Sequence, residues 1–367
     1  MNRATRLGLA LAAPILALIA AFGLTSLVLV IAGDPVGTVW STILSVPAPR
    51  NVANIVNAAS VLYLSGIAVA IGFRMNLFNI GVDGQYRVAA FAAAVVAGEG
   101  WLPGYLNTAL AIAAAMLVGA LWAGIAGALR AYRGVSEVIS TIMLNFIATG
   151  LVAYFLRQVA VTEPGSNSIS TAVIEDGRVP GIPLSDSTTD IYGFVVISVI
   201  VGIAYWFVLN RTRFGFDLRA TGASATAAVA SGISVKRMTV VAMLLSGAVA
   251  GLVGLPILLG NAYSYGGTFQ SGLGFAGIAI ALLGRNHPVG IALGALLFAF
   301  LDEQSNPLQI LADVSPEIVK ITQGVIVLTV VISYEVVRRY GRRLEQQQVA
   351  KVVEDAENDA TFEEARS

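Results

Sequence analysis

Residues 211–237 read RTRFGFDLRATGASATAAVASGISVKR, a 27-residue polar interruption between two apolar runs. The stretch holds Arg211, Arg213, Arg219, Lys236 and Arg237. An apolar run long enough to cross a bilayer precedes it and another follows, so the interruption lies in water at one membrane face. Ser224 is an N-cap residue type and Gly232 a stop signal, and the alanine-rich run between them predicts a short helix. A short helix held at the surface between two spans suits docking to a soluble partner.

The rest of the chain agrees with this placement. Hydrophobic residues make up 56% of the 367 and charged residues 12%. The mean hydropathy is +0.78, outside the soluble globular range. Net charge is zero, which offers nothing to a polyanion and argues against nucleic acid as a partner. Without cysteine there is no disulfide framework, thiol nucleophile or thiolate metal site, and one histidine, His287, leaves little room for a His-metal cluster.

A spanning helix needs about 20 apolar residues. Candidates fall near 7–31, 52–73, 86–99, 106–129, 136–156, 190–209, 238–260, 271–284, 288–302 and 317–337. Three are short, as expected of broken or tilted helices that line a cavity or are buried in protein. The expected fold is an all-α polytopic membrane protein of about ten transmembrane helices, with 1–343 as the membrane domain and 344–367 as a solvated acidic tail. The first apolar run is too long for a secretory signal.

Basic residues set the orientation. Alternating spans from a cytoplasmic N-terminus place Arg3, Arg6, Arg74, Arg130, Arg133, the basic residues of 211–237, Arg285 and Arg338 to Arg343 inside. Only Arg50, Arg157 and Arg178 fall in outer loops. Both termini are therefore expected in the cytoplasm, with the Pro- and Gly-containing segment 157–189 as an external cap. Val135-Ser136-Glu137-Val138-Ile139 and Val314-Ser315-Pro316-Glu317-Ile318 open the fifth and tenth spans, a faint echo of two five-helix inverted halves.

Two further stretches carry chemistry. Residues 72–87, GFRMNLFNIGVDGQYR, place Phe78, Asn79, Asp83 and Gln85 at the start of a run too short for a full span. Polar groups at membrane depth are costly unless they face a cavity or a partner. Residues 263–285, YSYGGTFQSGLGFAGIAIALLGR, put closely spaced glycines before another short apolar run. There Tyr265, Phe269 and Gln270 suit stacking on and hydrogen-bonding to a flat polar solute, while an interfacial aromatic belt accounts equally well for the tyrosines. Asn145, inside a span, suits either substrate contact or a helix–helix hydrogen bond. No phosphate-binding G-x-x-x-x-G-K-[ST], H-E-x-x-H or G-x-S-x-G occurs, so an enzyme is not expected, nor a cofactor or metal bound by this chain.

Several stretches together resemble the permease subunits of ABC importers for simple sugars and nucleosides. They are MNLFNIGVDGQ (75–85), SEVISTIMLNFIA (136–148), RATGASATAAVASGISVKR (219–237), FAGIAIALLGRNHPVGIALGALLFAFL (275–301) and PEIVKITQGVIVL (316–328). The added first span and the 157–189 loop are most like the larger permease of a bacterial nucleoside importer. The resemblance implies a second permease subunit, a cytoplasmic ATPase that uses ATP and Mg²⁺, and an extracytoplasmic solute-binding lipoprotein. It also implies a bacterial plasma-membrane location and a nucleoside as cargo, with a simple sugar such as ribose or galactose as the alternative. Within it, 211–237 carries the coupling helix, with Arg219, Gly222, Ser224, Ala227, Ala228 and Gly232 as candidate coupling residues. Relatives often carry Asn-Pro or an acidic residue where this chain has Ala223-Ser224-Ala225. The rival reading is an ion-coupled secondary transporter, which would need a buried ion site built on Asp83, Glu137 or Glu317.

Overall fold

The computed structural model describes residues 3–161, 169–267, 269, 271–315, 317–333, 335–337, 339–340 and 346. Helices dominate, and among the described residues β-structure is confined to isolated bridges. In chain order they are α1 (Arg3–Ala32), α2 (Val36–Ile43), α3 (Pro49–Arg74), α4 (Val82–Gly98), α5 (Tyr105–Arg133), α6 (Glu137–Val159) and α7 (Phe194–Arg211). There follow α8 (Arg213–Ala223), α9 (Ala225–Ala230), α10 (Val235–Leu252), α11 (Leu255–Ile257) with a π-turn at Leu258–Ala262, α12 (Leu273–Leu283), α13 (Pro288–Ser305) and α14 (Leu308–Ala312). A final apolar helix, α15, covers Glu317–Val337.

Every one of the ten expected windows holds a helix. Six of the described helical stretches are long and apolar enough to cross a bilayer: 49–74, 105–133, 137–159, 194–211, 235–262 and 317–337. The short windows behave as their composition predicts. Helix α4 runs for 17 residues and α12 for 11, each entered through a non-helical segment.

Contacts divide the chain into two units, residues 1–43 with 305–367, and residues 44–304. In the first, Phe22 of α1 stacks on Trp40 of α2 with ring centroids 4.4 Å apart, and the Trp40 indole N–H donates to Ser26 at 3.0 Å. The second unit contains both motif-bearing breaks. Its core is α10, which packs along α5 and also touches α3 and α4, while α12 lies against α3.

Small residues allow these close approaches, because helices in lipid associate by van der Waals fit rather than by excluding water. A Cβ on Gly247 would stand 2.2 Å from the Gly119 carbonyl and 2.4 Å from Ala123 Cβ, and one on Gly251 would stand 2.2 Å from the Ala115 carbonyl. The obstacle is backbone on both sides, so neither helix can yield locally. Gly247→Val is therefore expected to cost about 3 kcal/mol, the upper part of the usual overpacking range. Thermal unfolding of the detergent-purified protein checks this, and an unchanged transition would mean that α5 and α10 do not meet at this seam.

Candidate functional site

Helix α3 ends because Asn76 takes a left-handed conformation, φ +59°, which asparagine tolerates better than most residues. The Leu77 N–H then turns back to the Gly72 carbonyl at 3.0 Å, closing the helix end. Residues 75–81 cross the interior as irregular chain before α4 begins at Val82. Such a segment must satisfy its polar groups within the protein.

Asn79 and Gln85 do this. The two amides are paired head to tail, with Asn79 Nδ2 donating to Gln85 Oε1 at 3.0 Å and Gln85 Nε2 donating to Asn79 Oδ1 at 2.8 Å. Asn79 Oδ1 also accepts from the Gly81 N–H, and Asn79 Nδ2 donates to Ser246 of α10 at 2.8 Å. The Ser246 hydroxyl in turn donates to the Ala68 carbonyl of α3 at 2.6 Å. Asn145 of α6 clamps the other side of the segment, donating to the Ile80 carbonyl at 2.9 Å and accepting from the Gly84 N–H at 2.8 Å. Three helices are thus tied to one irregular segment.

Asp83 reaches further. One carboxylate oxygen accepts from the Gly272 N–H at 2.9 Å and from the Gly274 N–H at 3.4 Å, the N-terminal amides of α12. The other pairs with Arg87, one turn along α4, at 3.0 Å. The carboxylate therefore complements the positive end of α12 while its charge is balanced within its own helix. Through it the break before α4 and the break before α12 form one structure.

The aromatic residues gather beside the second break. Tyr265 stacks on Phe269 at 4.6 Å and meets Phe91 edge-on at 5.7 Å. Segment 169–179 buttresses this group. The Thr171 N–H donates to the Tyr265 carbonyl, the Thr171 hydroxyl accepts from the Tyr265 N–H, and the Arg178 guanidinium lies 4.4 Å over the Tyr263 ring. The segment expected to form the external cap is thus pinned to the helix break, although its residues 162–168 lie outside the described part.

Of the residues singled out from sequence, Asn79, Asp83, Gln85 and Asn145 come together, but their polar atoms are turned onto one another and onto backbone. Tyr265 is also buried, whereas Phe78 keeps 46% of its surface exposed. Gln270 falls outside the described residues. Sequence reading missed Ser246, which completes the amide network, and Arg87, which balances Asp83. The serine's only signal was a hydroxyl inside an otherwise apolar span.

The polar interruption folds as α8 and α9. Thr212 caps α8, accepting from the Gly215 N–H at 3.1 Å, and Ser224 caps α9, accepting from the Ala227 N–H at 3.3 Å. Gly232, at φ +80°, ends the turn as a left-handed stop. Arg219 donates to Asn210 at 3.1 Å. Ala228 is turned inward, 2% exposed, so the outward face of α9 is carried by Ala227 and Val229 rather than by Ala228. Gly222 also points inward. A Cβ there would stand 2.4 Å from the Arg74 carbonyl and 2.9 Å from Met75 Cα. Helix α8 therefore rests directly on the residues where α3 breaks.

Known proteins resemble this chain along most of its length. It is 37% identical over 279 residues to the guanosine ABC transporter permease protein of Bacillus subtilis, covering 74% of this chain and 78% of that one. It is 33% identical to the glucose ABC transporter permease protein of Haloferax volcanii, covering 76% and 75%. It is 29% identical over 347 residues to the nucleoside ABC transporter permease protein of Lactococcus lactis, covering 91% and 93%. Residues 51–331 match the family model described as the permease component of branched-chain amino acid transport systems, and the chain belongs to that family.

Proposed function

We propose that this chain is a membrane-spanning permease subunit of an ATP-driven importer and forms part of the translocation pathway for nucleosides. The observation that carries the reading is similarity over most of the chain to guanosine and nucleoside permeases. The glucose permease relative favours a sugar as the second reading. An ion-coupled mechanism finds less support, because Asp83 and Glu137 are each engaged by an arginine, Arg87 at 3.0 Å and Arg130 at 3.2 Å.

In this reading 1–343 is the permease domain and 344–367 a solvated tail. A second permease lies beside it, a cytoplasmic ATPase supplies ATP hydrolysis, and an extracytoplasmic binding protein delivers the cargo. The chain itself binds no ATP or Mg²⁺. Phe78 is the most open of the candidate pathway residues, and Asn79, Asp83, Gln85 and Asn145 act by fixing the backbone that presents it. Tyr265 and Phe269 lie within the second break, and Gln270 remains a candidate from the sequence. The ATPase docks on the outward face of α9 around Ala227 and Val229, bounded by Ser224 and Gly232, and Gly222 relays its movement to α3. The crossed packing of α10 on α4 and of α12 on α3 supports two inverted halves.

Uptake of radiolabelled adenosine or guanosine in cells carrying the whole system is expected to be competed by unlabelled nucleosides and not by ribose, galactose or glucose. Strong competition by a sugar with none by nucleosides would overturn the nucleoside assignment. The ten-span arrangement with both termini inside is tested by single cysteines, since the chain has none of its own. A cysteine at Ser185 in the outer segment should react with an impermeant thiol reagent in intact cells, and one at Thr226 in α9 only after permeabilisation. The opposite pattern would reverse the topology.

A further inference from the structure

Open space also lies away from the two helix breaks. A cavity of about 570 Å³ lies between α3, α7 and α13, and none of its lining residues belongs to segments 75–85 or 263–272. Its wall is almost entirely hydrocarbon. The two serines that line it spend their protons on backbone, Ser60 donating to the Asn57 carbonyl at 2.7 Å and Ser198 to the Phe194 carbonyl at 3.2 Å. Gly202 opens the floor: a Cβ there would stand 1.9 Å from the Tyr63 hydroxyl, so the absence of a side chain lets that ring lie against α7. A nucleoside or sugar would find few partners for its hydroxyls along this wall, since the polar groups that line it are sparse.

The ends of the groove differ. Along α7 it extends from Val195 to Trp206, which at helical rise is about 16 Å, close to the hydrocarbon depth of one bilayer leaflet. Near Trp206 the side chains become basic. The Arg211 guanidinium lies 5.6 Å from the Trp206 ring centre, His287 lines the groove itself, and the exposed Arg285 stands two residues before it. The 284–287 turn that carries Arg285 and His287 is held by Arg74 and Tyr205, which donate to the Asn286 carbonyl at 2.7 Å and 2.9 Å. An apolar trough of one-leaflet length, with a tryptophan and a histidine at one end and Arg211 and Arg285 close by in the chain, matches a molecule with a hydrocarbon tail and a negative head.

We propose that the groove between α3, α7 and α13 is a binding site for an anionic phospholipid, with an acyl chain along α7 and the phosphate received by Arg211 and Arg285. The bound lipid fills a gap in the wall of the membrane domain next to the α12–α13 turn.

The test uses the full-length chain, expressed with its partner subunits and reconstituted in phosphatidylcholine nanodiscs containing a trace of phosphatidylglycerol with a photoreactive acyl chain. After irradiation, labelled peptides are mapped by mass spectrometry. Labelling is expected to concentrate on groove-lining residues of α7 and α13, several-fold above the exposed faces of α5 and α6. Excess phosphatidylglycerol should displace it, and excess phosphatidylcholine should not. Arg211→Gln with Arg285→Gln should abolish that preference while labelling by a zwitterionic probe persists. Ala292→Trp, which narrows the groove, should lower labelling while the complex keeps its size-exclusion profile. Even labelling over α5 and α6, equal displacement by both lipids in the wild-type protein, or cross-linking of the groove to another protein subunit would each overturn the proposal. The wild-type displacement arm needs no variant to fold.

Discussion

Gly222→Val is expected to reduce uptake about a hundredfold while the partner ATPase continues to hydrolyse ATP. The added Cβ would stand 2.4 Å from the Arg74 carbonyl, and backbone cannot rotate out of the way as a side chain would. Helix α8 must then lift away from the end of α3, at a cost of about 3 kcal/mol, which corresponds to roughly a hundredfold in rate if it is lost from the transport step. The effect should fall on coupling because Arg74 is a junction. Its backbone meets Gly222, its guanidinium donates to the Asn286 carbonyl before α13, and the chain breaks just beyond it at 75–81. In the proposed reading, movement of α8 would reach the first helix break and the α12–α13 turn through this residue. Paired measurements of uptake and ATP hydrolysis in proteoliposomes decide it. Normal uptake by the variant would mean that α8 does not transmit through α3. Ser224→Ala removes only a cap on α9, worth about 1 kcal/mol, and should be milder.

Asp83→Ala is expected to be the most destabilising change at the helix breaks, about 3–5 kcal/mol. Removing one partner of a buried ion pair leaves the other uncompensated. Here Arg87 loses the carboxylate at 3.0 Å, and the Gly272 and Gly274 amides lose their acceptor at the start of α12. Asp83→Asn keeps an acceptor for those amides and should cost less. Combining Asp83→Ala with Arg87→Met should recover part of the loss, because the uncompensated charge disappears with it. Thermal unfolding of the wild type, the single variants Asp83→Ala and Arg87→Met, and the double variant gives the coupling energy directly. Strict additivity of the two changes would show that the pair does not interact and that Asp83 acts through α12 alone.

Much of this architecture was legible in the order of residues. Apolar length located the helices, because a bilayer demands a fixed run of hydrocarbon and punishes exposed backbone. The short windows at 86–99 and 271–284 marked α4 and α12 as interrupted, and Ser224 and Gly232 bounded the surface helix within a residue or two. These are local properties. Hydropathy, capping and glycine conformation act over a few neighbouring residues, so reading along the chain recovers them.

Roles that depend on distant partners were not legible. Asp83 reads in sequence as a polar residue facing a cavity, whereas in the folded chain it caps a helix that begins some 190 positions later. Asn79 and Gln85 read as groups awaiting a solute, yet each already holds the other, and Ser246 of α10 completes their bonding. Ala228 and Gly222 look alike as small residues in a docking loop, but both turn inward, and Gly222 meets the end of α3. The sequence by itself determined that this is a helical membrane protein, where its chain breaks, and which segment meets water between spans. Only the tertiary structure decided which polar groups are spent on holding the breaks together, because hydrogen-bond partners and steric contacts are set by the meeting of helices far apart in the chain.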